Sequence, residues 1–357
     1  MARAERAHLV RIFPPAAHGG VVVVPFEGAR MTLGRGADCS VTLDMRGLDD
    51  EHTRVERPRT GTVLRVRDLD SGGGTFVQGR RVPKRGADLP PGGILRLGGA
   101  VFAHRLWTEE QARAASWSPL PGPVNSCSPV VVDGLRRLQS KRFDAGTFWI
   151  AGADGAGRSV VINHLRALVE LSSGGDWITG GAEFVPCAVP PKDADPERTL
   201  VLPPLRERPE DILVLLAAMN GGQLPPLTAR LVEGLVLYDW PGNIRELRLA
   251  LARAHDPRYA APEGTRWRLE LFPDCLRYVN EARGSEDPLT LQTPERPLPS
   301  DAIGMRALMD AHDWRLFRVA AATGRSRGSV LEHLFGLGIR EPWIPDPSLT
   351  PPGPRVS

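Results

Sequence analysis

The feature that most limits the fold is a change of hydrophobic period part-way along the chain. From Val21 to Trp107, short β-branched runs (VVVVPF, SVTLD, TVLRVRDL, TFVQGRRV, ILRLGGAVFAHRLW) alternate with Gly-rich and Asp-rich turns. Runs that short, with no helical repeat between them, bury an apolar face by packing sheet on sheet, so an all-β sandwich is expected over residues 1–108. Later the pattern becomes a strand (TFWIAG), a glycine turn and an amphipathic run, RSVVINHLRALVEL. Helical patterns follow at PEDILVLLAAM, LTARLVEGLVLY and GNIRELRLALARAH, which predicts an α/β part that turns helical over residues 129–281.

Two kinds of core in 357 residues fit a multidomain chain, since single cores rarely grow past ~250 residues. EEQARAASWSPLPGPVNSCSP has no period and is assigned to a linker, 109–128. ARGSEDPLTLQTPERPLPS marks a second linker, 282–300, before three short helical patterns in 301–340 and a Pro-rich tail, 341–357.

The 45 basic and 42 acidic side chains nearly cancel, so contact with nucleic acid has to come from a local patch. Cys39, Cys127, Cys187 and Cys275 lie far apart without CxxC pairs, which argues against a zinc site or a disulfide framework and fits a reducing cytoplasm. No apolar run approaches the ~20 residues a bilayer requires, so no membrane association is expected.

GADGAGRS, from Gly152 to Ser159, fits the phosphate-loop pattern GxxxxGK(S/T) at Gly152, Gly157 and Ser159, with Gly155 inside it, but Arg158 replaces the lysine. Loop amides and the following helix N-terminus suit an anion. Arg158 is bulkier and planar, and Asp154 adds a carboxylate to the concavity. A plain glycine turn between strand and helix is the competing interpretation.

Downstream, LPPLRERPEDI (202–212) and YDWPGNIRELRLALARAH (238–255) resemble the AAA+ module of sigma-54-dependent transcription activators, and EFVPCAVP (183–190) resembles the segment after their phosphate loop. The resemblance implies that Arg245 matches an arginine reaching the nucleotide's terminal phosphate. It also implies a missing stretch, because only PKDADPERTLV separates Pro190 from the lid segment. In the family that interval carries the Walker B acid, the sensor and the GAFTGA loop that touches sigma factor. No apolar strand ending in Asp-Glu follows Ser159, and VVVDG (130–134) precedes the loop. Metal-assisted phosphoryl transfer needs such a carboxylate. The module is therefore expected to be a truncated scaffold without catalytic residues or a metal site; ATP binding without hydrolysis stays open, and contact with sigma-54 or RNA polymerase is not expected.

MTLGRGADCSVTLD, DDEHTRVE and RDLDSGGGTFVQGRRV resemble a forkhead-associated (FHA) domain, the sandwich that reads phosphothreonine peptides. The resemblance implies that Arg35 grips phosphate, that His52 braces the binding loop and that Gly74-Thr75 is the family's Gly-Thr pair. Three departures stand out: Asp49 replaces a phosphate-contacting serine, Asp50 a basic residue and Gly73 a peptide-holding asparagine, while Gln78 replaces another common asparagine. Carboxylates repel a phosphate dianion, so Arg35, Asp49, His52, Gly73 and Thr75 form a degenerate partner site, with a basic partner as another option.

Finally, MRALMDAHDWRLFRVAAATGRSRGSVLEHLFGLGI resembles the Fis-type helix-turn-helix that closes sigma-54-dependent activators. It implies core positions at Trp314, Ala320, Ala321, Val330 and Leu334, a turn at Thr323-Gly324, and Arg325, Ser326, Arg327, Ser329 and His333 on the DNA side. Gly328 and Glu332 depart from the basic residues common there.

The module order points to a DNA-binding transcriptional regulator, at least dimeric, with an FHA-like protein-interaction domain and no ATPase motor. A cytoplasmic adaptor that has lost DNA binding is the alternative; a residual ATP-binding activator with Arg158 in place of lysine ranks last.

Overall fold

The computed structural model describes residues 4–116 apart from 18, 46 and 59, then 124–140, 146–172, 182–255, 267, 271–272, 274–276, 298–311, 319, 323, 330, 333–334 and 336–339. The chain forms two compact units, Met1–Leu251 and Ala252–Ser357.

The first unit opens with a two-sheet sandwich. Its strands are β1 (Arg6–Phe13), β2 (Val22–Pro25), β3 (Arg30–Gly34), β4 (Val41–Thr42), β5 (Thr53–Glu56), β6 (Leu64–Asp68), β7 (Thr75–Val77), β8 (Arg80–Arg81), β9 (Ala87–Leu89), β10 (Ile94–Leu97) and β11 (Ala100–Trp107). They are ordered β2-β1-β11-β10-β7-β8 in one sheet and β4-β3-β5-β6-β9 in the other. In β5 and β6, Thr53, Val55, Leu64 and Val66 turn inward while Arg54, Glu56 and Arg65 are less buried, the two-residue alternation of a half-covered sheet. Leu9, Leu33, Val55, Leu64, Val66, Leu89, Leu95, Leu97 and Phe102 fill the space between the sheets.

On the first sheet both faces are covered. Leu95 and Leu97 of β10 enter the sandwich core, yet Ile94 and Arg96 between them are buried as well. Helix α1 (Glu109–Ser116) packs on β2 and β11, and α5 (Ala229–Leu237) packs on β10 and β11. Double coverage explains why β1 escapes sequence analysis: its burial is nearly continuous, so the alternation that marks a half-buried strand is absent.

Residues assigned to a linker are structured at both ends. Ala112, Ala114 and Ala115 of α1 are buried, and Ser126, Cys127 and Ser128 are buried beside Asp211. Alanines set against a sheet carry little hydrophobic contrast, which hides such a helix from periodicity.

The α/β part is a three-stranded parallel sheet ordered β13-β12-β14, built from β12 (Gly146–Gly152), β13 (Ala182–Cys187) and β14 (Thr199–Leu202). Helix α2 (Pro129–Ser140) packs against β14, and α3 (Arg158–Ser172) packs against β12 and β13. VVVDG, weighed above as a strand, lies inside α2. A β-branched run of that length does not by itself separate strand from helix, and tertiary contact decides. A Cβ on Gly134 would lie 2.4 Å from Leu200 Cδ1, so the glycine lets α2 approach β14. Helices α4 (Asp211–Met219), α5 and α6 (Asn243–Ala254) complete this region, and the Thr228 hydroxyl caps α5 by accepting from Leu231 N.

Two buried ion pairs join the sandwich to the helices. Arg96 Nε donates to Glu233 Oε2 at 2.7 Å, with the guanidinium 3.8 Å from the Phe76 ring centroid. Arg105 pairs with Glu210 and donates to the Glu207 carbonyl at 2.9 Å.

In the second unit, α7 (Ala302–Asp310) is capped by Asp301, whose carboxylate accepts from Gly304 N. Met305 and Met309 pack with Val319, Val330, Leu334 and Ile339. Val330 and Leu334 are thus core residues as the resemblance implies, while Trp314, Ala320 and Ala321 lie outside the described residues. Thr323, assigned to a turn, is helical instead: its hydroxyl donates to the Val319 carbonyl one helical turn back.

Removing one partner of a buried ion pair strands the other charge. Glu233→Ala is expected to lower unfolding free energy by about 3–5 kcal/mol, whereas the double change Arg96→Met/Glu233→Leu stays near neutral, as urea titration would show. His104 and His8 are buried and burial pushes both imidazoles below the usual value of 6.5. Below that value the unfolded chain binds protons the folded chain refuses, so these two imidazoles pull the urea midpoint down on acidification from about pH 7.5 to about pH 5.5, against the raised Asp211 carboxyl; His8→Gln/His104→Gln should lose that part of the fall, and an unchanged pH profile in that variant would contradict this.

Candidate functional site

The phosphate loop occupies the expected place between β12 and α3, with Gly155 and Gly157 at positive φ. What lies on it is the start of α6, in the YDWPGNIRELRLALARAH segment. Ile244 N donates to the Gly155 carbonyl at 3.0 Å, and Asn243 Nδ2 donates to the Asp154 carbonyl at 2.9 Å. Asn243 Oδ1 in turn accepts from Leu205 N, and Arg208 Nη2 donates to the Ala156 carbonyl at 2.6 Å. A Cβ on Gly155 would sit 2.3 Å from the Gly242 carbonyl and 3.3 Å from Arg245 Cβ. The glycine is needed here for close approach of another piece of the chain.

Arg158 is engaged inside the loop, since its Nη2 donates to Asp154 Oδ1 at 2.6 Å. Ser159 and Arg245 are exposed. The loop thus carries an internal ion pair at the position where the phosphate-loop pattern has its lysine.

A β-strand has two edges, and β13 and β14 take both edges of β12. These neighbours end at Cys187 and Leu202, so neither brings a carboxylate beside the glycine turn. Among the described residues no group of three or more His, Cys, Asp or Glu is arranged to hold a metal ion. Asp211, an acid within LPPLRERPEDI, is fully buried and already occupied. Its carboxylate accepts from Ser126 Oγ, Cys127 N, Ser128 N and Arg208 Nη1. Burial pushes its carboxyl above the usual range, against the opposing pull of Arg208 and of the Ser126 and Cys127 donors.

Sequence analysis passed over Arg208, Asp211 and Asn243 as individual side chains. The available signal was a pair of opposite charges three residues apart, ahead of an all-apolar run, ILVLL, that leaves those charges no route to water. In α6, Leu247 and Leu251 are buried on one face, while Leu249 is 66% exposed on the other.

The sandwich loops bring a second set of candidates together. Arg35 follows β3, Asp49 and Asp50 precede β5, and the 71–74 turn precedes β7. His52 is fully buried: its Nδ1 accepts from Asp49 N at 3.2 Å and its Nε2 lies 3.2 Å from the Gly74 carbonyl. That joins the two loops, which is the bracing role the resemblance implies. Thr75 is a correction, because its hydroxyl is buried against Asp68 Oδ1 and Thr53 Oγ1, each at 2.6 Å, and is closed to a partner. Gly73 is required by packing, since a Cβ there would lie 2.4 Å from the Gly47 carbonyl. Gln78 is structural, with its Oε1 accepting from Ile94 N.

In the second unit His333, assigned to the DNA side, is half-buried. Its Nε2 lies 2.8 Å from the Pro299 carbonyl, which ties the ring to the segment ahead of α7. Arg325, Ser326, Arg327 and Ser329 lie outside the described residues.

Residues 31–98 match the FHA domain family. The sandwich is an FHA domain. Solved structures similar to it include an EmbR–phosphopeptide complex from Mycobacterium tuberculosis, 25% identical over 30% of this chain and 27% of that one, TM-score 0.26. Another is the FHA domain of CT664 from Chlamydia trachomatis, 16% identical over 29% and 99%, TM-score 0.26.

Curated relatives are transcriptional regulators, in keeping with the enhancer-binding-protein resemblance. FlbD of Caulobacter vibrioides is 44% identical over 62 residues, 15% of this chain and 14% of the relative. TyrR of Enterobacter agglomerans is 46% identical over 63 residues, 16% and 12%. The hydrogenase regulator HoxA of Cupriavidus necator is 26% identical over 168 residues, 40% and 32%. The chain thus spans no more than about a third of the length of these relatives. Among the described residues no helix is long and apolar enough to cross a membrane.

Asn243→Ala should unfold at lower urea, with a loss of about 1–3 kcal/mol from the stranded buried Leu205 amide and the lost bond to the Asp154 carbonyl. Saturating magnesium-ATP should leave the melting temperature of the unaltered chain in place; a concentration-dependent rise would show an accessible site.

Proposed function

We propose that this chain is a DNA-binding transcriptional regulator whose FHA domain and α/β module form a fixed platform, and which regulates without hydrolysing ATP. The observation that carries the first part is its likeness to curated transcriptional regulators over a segment of about 60 residues, with a further match extending over 168 residues. Its FHA domain supplies a surface for a protein partner.

The second part is supported by the lid seated on the phosphate loop and by the Asp154–Arg158 pair. In-line attack on a terminal phosphate needs a seated metal and an oriented water, and neither Cys187 nor Leu202 at the neighbouring strand ends offers a carboxylate. On this view the module holds the FHA domain in place instead of remodelling a polymerase.

Contact with DNA would come from the C-terminal helices as a dimer, because one helix-turn-helix covers one half-site. The second interpretation, an adaptor without DNA binding, gains support from His333, which is bonded to Pro299.

Selected-pool DNA binding by the full chain separates the two. A regulator recovers a defined motif, with affinity falling steeply as salt rises, whereas an adaptor retains no DNA even at low salt. In parallel, phosphate release from magnesium-ATP should stay at the buffer level, and turnover abolished by Arg158→Ala would reverse the assignment.

A further inference from the structure

The exposed rim of the FHA loops contains anion-binding groups whose acceptors are supplied by the chain itself. Arg35 donates twice to Asp50 Oδ1, from Nε at 3.3 Å and from Nη2 at 3.2 Å. Gly72 N donates to Asp49 Oδ2 at 2.6 Å. A guanidinium and a turn amide from two loops are both of the donor type that holds an oxyanion, and here each is met by one of two adjacent carboxylates.

Their position is set by backbone. Arg35 N and Gly36 N donate to the carbonyls of Asp49 and Asp50 at 2.9 Å each. A Cβ on Gly34 would lie 2.1 Å from the Asp50 carbonyl, so a bare glycine is what lets the two strands of the loop meet. His52 then fixes Asp49 N against the 71–74 turn. The carboxylates are therefore held on Arg35 and Gly72 by the same contacts that shape the loops.

We propose that Asp49 and Asp50 are a built-in stand-in for phosphate, which keeps a latent phosphopeptide pocket of this FHA domain closed. The inference rests on the FHA fold and is independent of the DNA-binding proposal. An exposed Arg–Asp pair contributes little by itself, about 0–1 kcal/mol, so the closure comes chiefly from charge: an arriving phosphate dianion meets two carboxylates before it reaches the arginine. The phosphate loop shows the same device, with Arg158 paired to Asp154.

The test uses the full chain, a degenerate phosphothreonine peptide pool and its unphosphorylated twin, with binding followed by fluorescence anisotropy. The unaltered chain should treat both pools alike. Asp49→Ser/Asp50→Asn should prefer the phosphorylated pool by at least tenfold, and adding Arg35→Ala should erase that preference. Should the double variant fail to fold, Asp50→Asn alone leaves the Asp49–Gly72 bond intact, frees Arg35, and should show a smaller preference of the same sign. Phosphopeptide preference in the unaltered chain equal to that of the variant overturns the proposal, as does a folded variant with no gain. Tighter binding of the unphosphorylated pool by the unaltered chain also overturns it, since it would make the acids a site for basic peptides.

Discussion

The α/β module is organised around a carboxylate that never meets water. Asp211 receives the Ser126 hydroxyl, the amides of Cys127 and Ser128 and the Arg208 guanidinium, and Arg208 reaches on to the Ala156 carbonyl of the glycine turn. One buried acid thus joins the start of α2, the entry to α4 and the phosphate loop. A charge in that position is tolerable only when each lone pair is met, so the surrounding segments are constrained together. With Asn243 bridging Leu205 and Asp154, the lid is held on the loop by polar bonds of the chain itself.

The same principle places the FHA domain. Arg96 and Arg105 point away from the sandwich core on a face that would ordinarily be wet, and Glu233 and Glu210 meet them there under cover. These pairs contribute orientation more than net stability, because their desolvation cost offsets most of their attraction. The apolar neighbours Ile94, Val101 and Ala103 on that face provide the burial. An interaction domain fixed this way presents its loops at a defined attitude to the helices beneath it, within the first unit.

Two of the arginines assigned to phosphate from the sequence, Arg35 and Arg158, are each met by a nearby aspartate. In both places the cation is satisfied by a carboxylate of the chain itself. The glycines there serve packing: Gly34 against Asp50, Gly73 against Gly47 and Gly155 against Gly242.

Much of this was legible in the linear chain. Alternating strands gave away the sandwich, TFWIAGADGAGRS gave away a strand, turn and helix, and His52 was assigned its bracing role from its motif. These are local signals, in which side-chain period and turn chemistry reflect the backbone within a few residues. What was hidden depends on partners distant in sequence. β1 and α1 lost their periodicity because a second layer covers them, VVVDG became helix because β14 lies beneath it, Thr75 turned inward toward Asp68, and His333 met the Pro299 carbonyl. The amino-acid order alone marked the alternating strands of the sandwich and the strand, turn and helix of TFWIAGADGAGRS. Only the tertiary structure decided which charges face water and which face each other, because that depends on burial, and burial belongs to the assembled layers.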